Sequence, residues 1–108
     1  MTERDDGFSP IFDDVVREVG LVGAAVFGCV WRHEQMHDHV CKAAVGTMGK
    51  LLGLNERTVR RHLKDLVERG MIYYVQYATQ QKPAHYLCAF KPVVSHKFRV
   101  DFVSYLDR

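Results

Sequence analysis

The sequence predicts a mainly α-helical domain closed by a β-hairpin, on two observations. Between residues 9 and 69 apolar side chains recur at helical spacing. From residue 71 onward the spacing changes to two short β-branched and aromatic runs separated by a polar stretch. A length of 108 residues suits one domain, and 47% hydrophobic with 26% charged residues is the composition of a globular protein rather than a disordered or fibrous one.

Residues 1–7 are polar and charged and are expected to be loose. Ser9 and Pro10 then offer a helix start, cap and first turn, with Ile11, Phe12, Val15, Val16 and Val19 on one face and acids on the other. Gly20 should interrupt this helix. A second runs from Leu21 through Val22, Val26, Val30 and Trp31 to about Glu34, apolar nearly all round and so expected at the centre of the core. These N-terminal helices occupy residues 9–36. The histidine-rich stretch 33–42 reads as a connection, in which Val40 and Cys41 form a short strand.

A third helix is expected over 44–52, ending at Gly53 in a left-handed conformation. Asn55 is a good N-cap for a fourth, over 56–69, whose Val59, Leu63, Leu66 and Val67 make one apolar stripe; Gly70 ends it. Residues 71–77 and 85–90 then make a hairpin with a polar tip, within a hairpin unit spanning 71–90. The tail 93–108 fits a helix through Phe98, Phe102, Tyr105 and Leu106, although Phe98, Val100 and Phe102 also alternate as in a strand.

Charge is unevenly placed. Residues 1–19 carry six acids against two bases, net −4, so residues 20–108 carry thirteen bases against seven acids, net +6. Cys29, Cys41 and Cys88 form no CxxC pair, which argues against a disulfide framework or zinc ribbon and for a reducing cytoplasm. The longest uncharged run, residues 19–31, is short of the roughly 20 residues that cross a bilayer, and the acidic N-terminus is unlike a signal peptide. No membrane association is expected.

The stretch Gly46-Thr47-Met48-Gly49-Lys50-Leu51-Leu52-Gly53-Leu54-Asn55-Glu56-Arg57-Thr58-Val59-Arg60-Arg61-His62-Leu63-Lys64-Asp65-Leu66-Val67-Glu68-Arg69-Gly70-Met71-Ile72 resembles the winged helix-turn-helix core of bacterial, plasmid and phage DNA-binding proteins. With residues 44–70 as the helix-turn-helix and the hairpin as wing, the resemblance implies a three-helix core plus wing, with an extra N-terminal helix and a C-terminal segment. Asn55 replaces the commoner Ser or Thr cap, and Gly49 stands where a small Ala usually packs in the turn.

The charge on the fourth helix can be read without the resemblance. With the apolar stripe inward, Arg57, Arg61, Lys64 and Glu68 fall near the opposite pole, with Thr58 and Arg60 on the shoulders. A helix entering the major groove needs long donors there, because guanidinium takes guanine O6 and N7 bidentately. Arg57 and Arg61 are expected at base edges, and Thr58, Arg60 and Lys64 at phosphate. Asn55 and the first backbone N–H groups could also meet an anion, and Gln80, Gln81 and Lys82 at the wing tip could lie along a phosphate strand or minor groove. Glu68 lies too far along the helix to enter.

His33, His37 and His39 with Cys41 lack convincing metal spacing, and no nucleophile, acid pair or phosphate loop stands out, so neither a cofactor, a metal nor an enzyme is expected. The surplus aromatic residues Tyr73, Tyr74, Tyr77 and Tyr86, with the tail, suggest a homodimer. The expected function is sequence-specific binding of double-stranded DNA, as a small repressor or a replication-control protein. The alternative is an interaction module whose basic helix meets acids such as Asp13, Asp14 and Glu18 of another chain.

Overall fold

Three helices and a two-stranded antiparallel hairpin follow one another in the computed structural model, which describes residues 8–36, 39–76, 79 and 84–89. They are α1 (Asp13–Met36), α2 (Val45–Leu52), α3 (Glu56–Glu68), β1 (Ile72–Gln76) and β2 (His85–Cys88). The tail 93–108 and its expected helix lie outside the described residues, as do residues 1–7.

α1 is two helical pieces joined at Gly20, whose backbone (φ 84°, ψ 172°) is not helical. The pieces fold back on one another. Phe12, at the foot of the first, packs edge-on against Phe27 (6.1 Å) and Trp31 (5.4 Å) of the second. In a straight helix, fifteen residues would separate Phe12 from Phe27 by about 22 Å. The interruption expected at Gly20 is therefore a reversal. The helix start expected at Ser9 and Pro10 is corrected: helix begins at Asp13, with Val16 N–H donating to the Phe12 carbonyl at 2.9 Å. The Pro10 carbonyl instead lies against Gly28, so packing rather than local propensity sets the start. Asp13 and Asp14 occupy the first turn, where negative charge suits the helix dipole.

The second piece supplies the core, with Ala24, Val26, Phe27, Cys29 and Val30 buried. Leu21 and Val22 do not join them. They are 65% and 40% exposed because they stand on the outside of the bend, so the expectation of an all-round buried helix fails there. Helix also runs on to Met36, through the start of the stretch read as a connection. What stabilises that last turn is tertiary: Glu34 is buried, and its Oε1 accepts the Cys88 N–H of β2 at 2.6 Å.

β1 and β2 pair with Ile72 opposite Cys88 and Tyr74 opposite Tyr86, with an irregularity between Tyr74 and Gln76. Both strands are shorter than the sequence suggests, since Met71 serves to leave α3, its N–H donating to the Leu66 carbonyl, and β2 ends at Cys88. The short strand expected at Val40 and Cys41 is a single bridge, in which Cys41 and Tyr86 exchange two backbone hydrogen bonds of 2.9 Å. The inner face of the hairpin presents Ile72, Tyr86 and Cys88 to α1 and α3, with the Tyr74 and Tyr86 rings 5.2 Å apart.

The three cysteines are buried thiols. Loss of solvation pushes the Cys41 thiol from 9.0 up to about 12, and burial likewise raises the Cys29 thiol and the Tyr86 phenol. Each group is favoured in its protonated form by folding, so its contribution is full below its ordinary pKa and is lost as pH rises through the folded value. The urea midpoint is expected to fall as pH climbs from 9.0 toward about 12, less steeply in Cys41→Ala. A flat alkaline profile would remove this account of the core.

Candidate nucleic-acid interface

α3 is seated before it is decorated. Val59, Leu63 and Leu66 are buried against α1 and α2, which fixes the rotation of the helix and therefore which residues face out. Its start is fixed separately. Gly53 ends α2 in the left-handed conformation, and the Asn55 side chain accepts the Thr58 N–H at 2.8 Å. Asn55→Ala is expected to lower stability by about 1 kcal/mol, a fall of about 4–8 °C in melting temperature, because an orphan N–H loses its acceptor. An unchanged thermal melt would show the cap to be idle.

Outward, Arg57, Arg61 and Lys64 are exposed, and among the described residues no carboxylate pairs with any of them. The other two cations of the region are engaged. Arg60 Nη2 lies 2.9 Å from Glu56 Oε1, and Arg69 Nε lies 2.9 Å from Asp65 Oδ2 while its Nη1 donates to the Glu18 carbonyl at 3.2 Å. Arg69 thus ties the far end of α3 to the first piece of α1. Arg61, His62, Lys64, Asp65 and Glu68 line a shallow, open depression of about 470 Å³. His62 is half-buried and turned toward Gly23 of α1.

The surface is polarised along the helix. With Arg60 paired to Glu56 and Asp65 to Arg69, the unpaired charges among the described residues of α3 run Arg57, Arg61, Lys64 and then Glu68, so an anion approaching it meets attraction along the first two thirds and repulsion at the end. Thr58 is half-buried beneath the cap and presents its backbone N–H to Asn55 rather than to solvent, so its hydroxyl is the part left for an anion. Asn55, Arg57, Arg60, Arg61 and Lys64 are all exposed on one element. Gln80, Gln81 and Lys82 lie outside the described residues; of the tip, Thr79 is described and exposed.

Two residues escaped the sequence reading. Glu56 engages Arg60, a pairing that the four-residue spacing signals. Glu34 is the buried carboxylate under β2, and nothing local signals a partner 54 residues away. Among the described residues no group of three His, Cys, Asp or Glu side chains could hold a metal ion, and His33 Nδ1 donates instead to the Cys29 carbonyl at 2.8 Å. No described helix is long and apolar enough to cross a membrane.

Comparison with protein-family models, with curated proteins and with solved structures finds no match to this chain.

Proposed function

We propose that the chain is a sequence-specific double-stranded DNA-binding protein of winged helix-turn-helix type, in which α2 and α3 form the helix-turn-helix and the β1–β2 hairpin the wing. The observation that carries this reading is the exposed stripe Arg57, Arg61 and Lys64 on a capped helix whose opposite face is locked into the core. Arg57 and Arg61 read base edges, and Lys64, Thr58 and Asn55 meet phosphate. It acts in the cytoplasm as a small regulator without a cofactor or catalytic step, by occupying its site and excluding other proteins, in transcription or in replication control.

One recognition helix reads few base pairs, so the functional unit is a homodimer on paired half-sites. Exposed apolar residues support this, with Tyr73 at 48% and Val75 at 50% on the outer face of β1. Binding of a labelled generic duplex, followed by anisotropy across a salt series, tests the reading. Each protomer neutralising about three phosphates should contribute about −3 to the slope of log K against log salt, about −5 for the dimer. No binding at low salt would overturn it and favour the interaction module, for which Asp13 and Glu18 supply exposed acids.

A further inference from the structure

We propose that Glu56 lowers the general duplex affinity of the α3 surface by holding Arg60 away from phosphate. This rests on the DNA-binding reading above. Glu56 opens α3 and Arg60 follows one turn later, with Oε1 2.9 Å from the guanidinium and side-chain exposures of 55% and 64%. An exposed pair of this kind is weak by itself. This carboxylate also lies near α2: its Oε2 stands by the first turn, 3.2 Å from where a Cβ on Gly46 would be. α2 has Ala44 at its cap position and no side-chain cap hydrogen bond, so its N-terminal end carries partial positive charge. Glu56 thus lies between Arg60 and the first turn of α2, in space that a side chain at Gly46 would narrow.

The consequence is a division among the cations of α3. Arg57, Arg61 and Lys64 present bare charge, whereas that of Arg60 is cancelled in place. Affinity for any duplex grows with the number of phosphates neutralised. Cancelling one cation on the shoulder subtracts one phosphate contact from binding to every sequence, while Arg57 and Arg61 keep their access to base edges. Glu56 weakens binding to all sequences alike and leaves the reading residues intact.

The test is anisotropy of a random-sequence duplex with the full chain at about 50 and about 200 mM salt, for wild type, Glu56→Gln, Arg60→Gln and the double variant. Glu56→Gln is expected to tighten binding by about three- to tenfold at the lower salt and to steepen the salt slope by about 0.9, one additional phosphate contact. Arg60→Gln is expected to change binding by less than about twofold when Glu56 is present, and by up to about tenfold when it is Gln. Equal effects of Arg60→Gln in both backgrounds overturn the proposal, since they show charges acting independently. So does unchanged or weaker binding by Glu56→Gln. If Glu56→Gln melts below wild type, Arg60→Gln alone decides: a loss of about tenfold with Glu56 in place overturns the proposal. No duplex binding by wild type at the lower salt overturns the DNA-binding reading itself and this inference with it.

Discussion

Replacing Arg57 and Arg61 together by alanine is expected to weaken binding to the cognate duplex by about 2–6 kcal/mol, about 1–3 for each bidentate contact, while leaving the fold intact. Both side chains are exposed and neither contributes to the core, so circular dichroism and the melting temperature should be those of the wild type. Four residues of helix rise by about 6 Å, close to two base-pair steps of about 3.4 Å, so under the proposed DNA binding the two guanidinium groups would address positions about two steps apart in one groove. Each single variant should therefore relax sequence preference at its own position. Lys64→Ala is the contrast, because it should weaken all sequences alike and lower the salt slope by about 0.9. If the double variant binds a selected site as the wild type does, α3 is not the reading element.

Gly20→Ala is expected to cost about 2–3 kcal/mol of stability. A Cβ there would meet no atom within 4 Å, so collision plays no part. The penalty is conformational, since φ 84° with ψ 172° is a region that essentially only glycine occupies. Relief by straightening the helix would carry Phe12 away from Phe27 and Trp31 and strip the core of those edge-to-face contacts. Urea unfolding measures the loss, and D-alanine at position 20, for which positive φ is natural, should recover most of it. A loss below about 0.5 kcal/mol, the ordinary range for surface changes, would mean that the reversal is not held by this residue.

How much could be read in advance depends on how local each cause is. The extent of α3, its Asn55 cap and the left-handed Gly53 follow from neighbours within a few residues, and they stand as the sequence suggests. The break at Gly20 was legible as a break, but its direction depends on what Phe12 packs against, and the same packing moves the helix start from Ser9 to Asp13. Leu21 and Val22 look like core residues because hydropathy does not report which side of a bend they occupy. Gly49, odd for a helix interior, has its reason in the Leu54 carbonyl oxygen, which would stand 2.6 Å from a Cβ. Of the candidate site, the cation stripe was visible in the spacing. That Arg60 differs from its neighbours was half visible, in the four residues to Glu56, and half hidden, in the approach of α2.

The bond from Glu34 to the Cys88 backbone joins residues 54 apart, and Cys41 meets Tyr86 over a separation nearly as long. Closing loops of that length costs entropy before any contact offsets it, so such links form late. During synthesis, α1, α2 and α3 are complete once residue 68 has been made, yet the carboxylate at the end of α1 still waits for an amide made twenty residues later. Until β2 emerges from the ribosome, α3 already has α1 and α2 beneath it, while the side of α1 that β2 covers stays open. Closure of the core around α1 is thereby timed to the arrival of residues 84–89 rather than to the completion of the helix that bears the charges.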